Sequence, residues 1–251
     1  MVISSNANEN IKKVIKLKDK KNRIKYGEYV VEGVTLVSSI PSTEEIVALY
    51  INENARHELV EISEKFDCIK YEVSDNIFNK IADTVSPSGI LAVLKIPNLP
   101  ISSPNGNSLI LDRISDPGNM GTIIRTACAC GFNDIYTVNC VDIYSSKTIR
   151  STMGGIWSVN IYNTDYDEIR KIIRIPIISL DMNGENIFDT DVVTPCALAI
   201  GSESQGISKE ILAITERVIS LPMNRGIESL NAGVACGIAM YIIGGKNVRS
   251  Q

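Results

Sequence analysis

The chain has 251 residues, 44% hydrophobic and 22% charged, with a formal net charge of −4. That length is enough for one large domain or two ordinary ones, each with its own core, and the composition is that of a globular protein. No run of about 18 uncharged apolar residues precedes the C-terminal helix, which is itself rich in Gly and Ala, so a membrane span is not expected. The N-terminus carries no signal-peptide apolar region, and the expected compartment is the cytoplasm.

Six cysteines, at positions 68, 128, 130, 140, 196 and 236, are scattered and form no CxxC pair. They are expected to be buried reduced thiols, and no metal site is expected. The acidic net charge argues against a nucleic-acid binder, but its distribution argues the other way. Eight of the 25 Lys and Arg residues lie between Lys12 and Lys25, against the single acid Asp19. Charges almost all of one sign, with few acid partners, suit a phosphate-contacting patch, with Lys20, Lys21, Arg23 and Lys25 as candidates.

In chain order, a helix is expected at 9–22, followed by strands at 28–33, 44–52, 68–73 and 89–96 with helices at 55–66 and 74–83 between them. This is a small α/β domain, residues 1–96. "PNLPISSPNGN" (97–107) is a linker by composition. From 108 to 251 the alternation resumes with strands at 108–112, 134–139, 158–162, 175–180, 196–202 and 218–223. Helices are expected at 119–131, 145–152, 165–173 and 208–214, and a final helix closes the chain. Such alternation implies a mostly parallel sheet covered on both faces. Ligands then gather at the carboxyl ends of strands, in the loops after Leu111, Ile178, Ile200 and Leu221.

Three of those loops stand out. In "DRISDPGNMGTIIRT" (112–126) Asp116, Pro117 and Gly118 make a turn, Asn119 suits an N-cap, and a helix runs to Gly131. Asn119 and Arg125, six apart, lie on different faces unless Asn119 is outside the helix. "AIGSESQGIS" (199–208) has two glycines at P-loop spacing, but Ile207 stands where that motif needs Lys, and no G-x-G-x-x-G follows any strand. What remains is a glycine turn that lets a ligand approach the backbone, with Glu203 beside it. The third stretch, "NRGIESLNAGVACGIAMYII" (224–243), starts an apolar helix with Glu228, Ser229 and Asn231. Ser229 or Asn231 caps that helix, which leaves the rest of the polar cluster to be explained as a site. The sole histidine, His57, lies far from these loops in sequence, so Ser-His and Cys-His hydrolytic schemes are excluded.

Together and in this order, "DPGNMGTIIRTACACGF", "LAIGSESQGIS" and "ISLPMNRGIESLNAGVACGIA" resemble the three signature motifs of the SpoU (TrmH-type) branch of the SPOUT RNA methyltransferases. "KNRIKYGEYVVEG" and "DTVSPSGILAV" are similar to the substrate-binding domain often fused in front, related to large-subunit ribosomal proteins. The resemblance implies methyl transfer from S-adenosylmethionine to a ribose 2′-hydroxyl of RNA, with ribosomal RNA as the expected substrate. It also implies a homodimer joined through the C-terminal domain, whose sheet carries a deep trefoil knot. The implied cofactor residues are Ile178, Gly201, Leu221 and Leu230, and the implied catalytic residues are Asn119, Arg125, Glu203, Ser229 and Asn231. A guanidinium stays protonated at neutral pH, so Arg125 is expected to stabilise a developing alkoxide or clamp a phosphate. Ala232 and Gly233 stand where the family commonly has Val and Ser. Transfer RNA as substrate, and a non-catalytic RNA-binding protein with the same fold, are the alternatives.

Overall fold

The computed structural model describes residues 2–55, 57–224 and 229–244. By contacts the chain forms two compact units, Met1–Asn98 with Tyr144–Trp157, and Leu99–Ile143 with Ser158–Gln251.

The first unit begins with α1 (Glu9–Lys16), whose N-cap Asn8 accepts hydrogen bonds from the amides of Asn10 and Ile11. The single helix expected over 9–22 is broken. The Arg23 guanidinium folds back and donates to the carbonyls of Leu17 (2.6 Å) and Lys18 (2.7 Å), closing the end of α1 before α2 (Lys20–Tyr26) restarts. Then follow β1 (Glu28–Glu32), α3 (Val34–Ser38), β2 (Ile46–Asn52), α4 (His57–Glu64), β3 (Ile69–Val73), α5 (Asp75–Ile81) and β4 (Ile90–Lys95). The sheet order is β1-β4-β2-β3, with only β2 and β3 parallel. Ile11 and Val14 of α1, with its C-cap Leu17, pack with Ile77, Phe78 and Ile81 of α5 in one core.

A later stretch joins this unit. Trp157 Nε1 donates to the Tyr29 hydroxyl at 3.0 Å, and the Tyr29 and Tyr144 ring centroids are 4.9 Å apart. Ser146 and Arg150 bond the Asp83 carboxylate at 2.6 and 3.2 Å, holding it below the usual carboxylate range, the serine hydroxyl contributing most. Chain order alone assigns residues 144–157 to the second half, because nothing local marks a helix that packs on a distant segment.

The second unit holds β5 (Ser108–Asp112), α6 (Pro117–Cys130) and β6 (Asp134–Val138); helix α7 (Ser146–Thr152) is the excursion just described. The chain returns through β7 (Asn160–Asn163), α8 (Tyr166–Ile172), β8 (Ile177–Asn186), β9 (Ala197–Gly201), α9 (Lys209–Leu212), β10 (Arg217–Ser220) and α10 (Ala232–Gly244). All six strands are parallel in the order β10-β8-β9-β5-β6-β7, so the strand order reverses between β5 and β9. Ligand crevices of such sheets lie at the carboxyl ends of the strands, and here the crevice lies on the β9 side of that reversal. The segment before β5 is pinned rather than free, since Tyr136 OH donates to the Ser102 carbonyl (2.6 Å) and the Asn105 amide donates to Asp134 (2.9 Å).

Two local features shape the crevice. β8 does not end at Leu180 but bulges away over 181–184 and rejoins β10 at Glu185 and Asn186. Gly184 makes this possible, because a Cβ there would lie 2.3 Å from the Ile219 backbone. The N-cap of α6 lies three residues earlier than expected, at Asp116, which accepts from the Asn119 amide, with Pro117 in the first turn. Asn119 is therefore inside the helix, and its side chain is free for other partners. Gly233 and Gly237 of α10 face Thr122 and Thr126 of α6, at spacings where a Cβ would just touch, so the two helices pack closely. No helix among the described residues is long and apolar enough to cross a membrane.

Candidate active site

The cleft at the carboxyl ends of β8, β9 and β10 has a volume of about 370 Å³, within the ordinary range of small-molecule sites. Its floor and walls include Leu180, Ile200, Gly201, Leu221, Leu230 and Ala235, with Asp181 and Glu203 as its acids. Gly201, Leu221, Leu230, Ser229 and Glu203, expected from the sequence, all line it. Ile178 does not; it lies buried two residues inside β8, paired with Leu198 and Arg217. Leu180 takes the place assigned to it, because β8 stays paired with β9 up to Leu180. Glu228 lies outside the described residues.

Gly201 is required by close approach rather than by its torsion angle. A Cβ on it would lie 2.0 Å from the Gly206 carbonyl oxygen, so the loop 202–206 folds directly onto the end of β9. The loop closes on itself through Gly206 N donating to the Ser202 carbonyl at 2.8 Å.

Glu203 draws three elements together. Its Oε1 accepts from Asn119 Nδ2 of α6 (3.0 Å), from Asn231 Nδ2 (2.9 Å) and from the Ala232 amide at the start of α10 (3.0 Å). Asn231 Nδ2 also donates to Asn119 Oδ1 at 2.8 Å, and its own Oδ1 accepts from the Val234 amide at 3.2 Å. Asn231, not Ser229, therefore caps α10, and Ser229 faces the cleft. The carboxylate sits at the positive end of α10, where a negative charge is favoured.

Arg125 is not part of this cluster. Six residues along a helix turn its side chain by about 240° from Asn119. It is exposed, and among the described residues it makes no hydrogen bond or ion pair. The arginine that the structure does bring to the loop is Arg113, with bonds to Gln205 and Gly206. No motif signalled it. Of the candidate RNA contacts, Lys20, Lys21 and Lys25 are exposed, but Arg23 is 6% exposed and is committed to the end of α1. It is corrected to a structural residue.

The cleft suits S-adenosylmethionine in shape and charge. Apolar walls suit an adenine ring, and two carboxylates suit a cationic sulfonium and ammonium. The glycine contact leaves a backbone-lined wall that a side chain at position 201 would fill.

An open parallel sheet with a small-molecule cleft at the carboxyl ends of β8, β9 and β10, bordered by a Glu–Asn–Asn cluster, defines an α/β fold with a cofactor site. The SpoU rRNA Methylase family matches residues 106–241, and the chain belongs to that family. An MRM3-like substrate binding domain matches residues 8–92. An uncharacterized tRNA/rRNA methyltransferase of Synechocystis is 32% identical over 68% of this chain, which spans 65% of that protein's length. The Bacillus subtilis 23S rRNA (guanosine(2553)-2′-O)-methyltransferase RlmP is 26% identical over 97% of this chain and 99% of its own. A TrmH-family structure from Porphyromonas gingivalis is 26% identical with a TM-score of 0.85, covering 96% of this chain and all of that one.

Proposed function

We propose that this protein transfers a methyl group from S-adenosylmethionine to a ribose 2′-hydroxyl of ribosomal RNA. The observation that carries the reading is the single Glu203 oxygen shared by Asn119, Asn231 and the Ala232 amide at the rim of the cleft. It supports the assignment because it joins all three sequence motifs at one place beside the cofactor walls. The rRNA substrate rests on the B. subtilis relative and the MRM3-like domain.

S-adenosylmethionine, when bound, supplies an electrophilic methyl group on a sulfonium. Gly201, Leu221 and Leu230, with Leu180 beside them, hold it through backbone edges and apolar contact. Asn119, Glu203 and Asn231 fix the loop that closes the cleft, and Ser229 orients the incoming hydroxyl. A protonated guanidinium stabilises charge developing on the ribose oxygen. Arg125 does not reach the cleft of its own chain, so in this reading it acts from a second copy.

That second copy docks on α10, which exposes Val234, Ile238 and Tyr241 beside the exposed Phe188. An apolar face of this kind suits a twofold interface. The chain's path from edge strand β10 back to α10 against α6 suits a knotted C-terminus. Residues 1–96 serve as the RNA-binding domain and 108–251 as the catalytic one, with Lys20, Lys21 and Lys25 contacting phosphates, in the cytoplasm. Incubating the full chain with methyl-labelled S-adenosylmethionine and rRNA tests the reading; label on a ribose 2′-oxygen is expected, and label on a base contradicts it.

A further inference from the structure

The loop 202–206 is held from two sides, and the scheme above uses only one of them. On the other side Arg113 Nη1 donates to Gln205 Oε1 at 2.9 Å and Nη2 donates to the Gly206 carbonyl at 3.2 Å. Arg113 Nε lies 3.3 Å from Oδ1 of Asp112, a carboxylate with no solvent exposure at the end of β5. Asp112 accepts from the Tyr166 hydroxyl (2.9 Å) and from the Ser208 amide (2.6 Å). One buried carboxylate thus faces the guanidinium as an ion pair, without a hydrogen bond from Nε, and holds the exit of the same loop.

The backbone at Arg113 is left-handed, with φ of 61°, a conformation an L side chain rarely adopts and glycine adopts freely. From there the side chain reaches the loop, and both of its acceptor residues line the cleft. We propose that Arg113 is a positioning residue for the cofactor, clamping Gln205 and Gly206 so that the loop stands in its binding form before the cofactor arrives. The inference rests on the S-adenosylmethionine reading above. Arg113 acts through the loop and not on the reacting atoms, so its effect belongs in cofactor affinity.

The test is Arg113→Gly, because glycine suits the left-handed backbone. In the full chain, calorimetry should show the Kd for S-adenosylmethionine raised about tenfold, with kcat at saturating cofactor within about twofold; Tm should fall, because the buried Asp112 loses its charge partner, and Arg113→Lys should restore Tm. Arg113→Lys should recover part of the affinity, since one ammonium can reach one of the two acceptors. Gln205→Ala should weaken binding in the wild-type background and add nothing further to Arg113→Gly. Wild-type binding with an equal Kd in the Gly variant overturns this inference alone, as does a loss confined to kcat. A wild-type chain that binds no S-adenosylmethionine overturns the functional reading and this inference together.

Discussion

Asn231 and Glu203, 28 residues apart in the chain, meet through a hydrogen bond of 2.9 Å from the Asn231 amide to the carboxylate, and the same oxygen accepts the backbone amide that begins α10. The charge of Glu203 therefore strengthens every bond that ties the second loop to the third. Glu203→Ala leaves three donors without their acceptor at the rim of the cleft. Methyl transfer should fall about 100-fold, while Tm falls little because the cluster is open to water. Glu203→Gln keeps an acceptor oxygen without the charge and should fall in between. Initial rates with saturating RNA check both.

Gly201→Ala places a methyl group 2.0 Å from the Gly206 carbonyl oxygen, so the loop must move away from β9. Cofactor affinity should drop about 100-fold or more, with the rest of the sheet intact by circular dichroism. Unchanged binding would mean that the loop does not form the cofactor wall.

Arg125 lies away from the cluster within one chain, so Arg125→Ala should bind S-adenosylmethionine normally and transfer no methyl group. If the arginine acts across a dimer, mixing Arg125→Ala and Asn231→Ala chains should restore about a quarter of wild-type activity, because only mixed dimers hold one complete site. No recovery on mixing would place the arginine's role within its own chain.

In the basic stretch, residues a few positions apart serve different purposes. Arg23→Ala loses two bonds to carbonyls, one of them buried, and should cost about 2 kcal/mol of stability by urea unfolding. Lys20→Ala and Lys21→Ala should leave stability within about 0.5 kcal/mol but weaken RNA binding and reduce its salt slope by about one each.

Burial pushes the Cys236 thiol up to about 12 and those of Cys130, Cys140 and Cys196 up to about 11, and it raises the hydroxyls of Tyr29, Tyr50 and Tyr136. A group raised by burial keeps its proton longer in the folded chain than in the unfolded one. The folded state thus binds more protons, and stability falls as pH rises. The loss should begin above about pH 9, where unfolded thiols ionise, and deepen through the folded values. Urea titrations from pH 7 to 11 check it; a flat profile contradicts it.

Much of this was legible in the chain because alternation and glycine spacing are local signals. The parallel sheet and the loops around Gly201 and Asn231 followed from periodicity and turn residues. Three features did not, each for a physical reason. Arg23 looks like its lysine neighbours until its guanidinium finds the carbonyls of Leu17 and Lys18. The 181–184 bulge depends on Gly184 meeting the Ile219 backbone, 35 residues downstream, a contact that no local signal marks. Arg113 carries no pattern at all; its importance comes from a left-handed backbone and a loop 92 residues away.

The most direct test of the central claim is nucleotide-level mapping after incubation of the full chain with S-adenosylmethionine and unmodified rRNA. The account predicts a single new 2′-O-methylribose, formed about 100-fold more slowly by Glu203→Ala at matched protein concentration. A methylated base, or no methylation alongside normal cofactor binding, would contradict it.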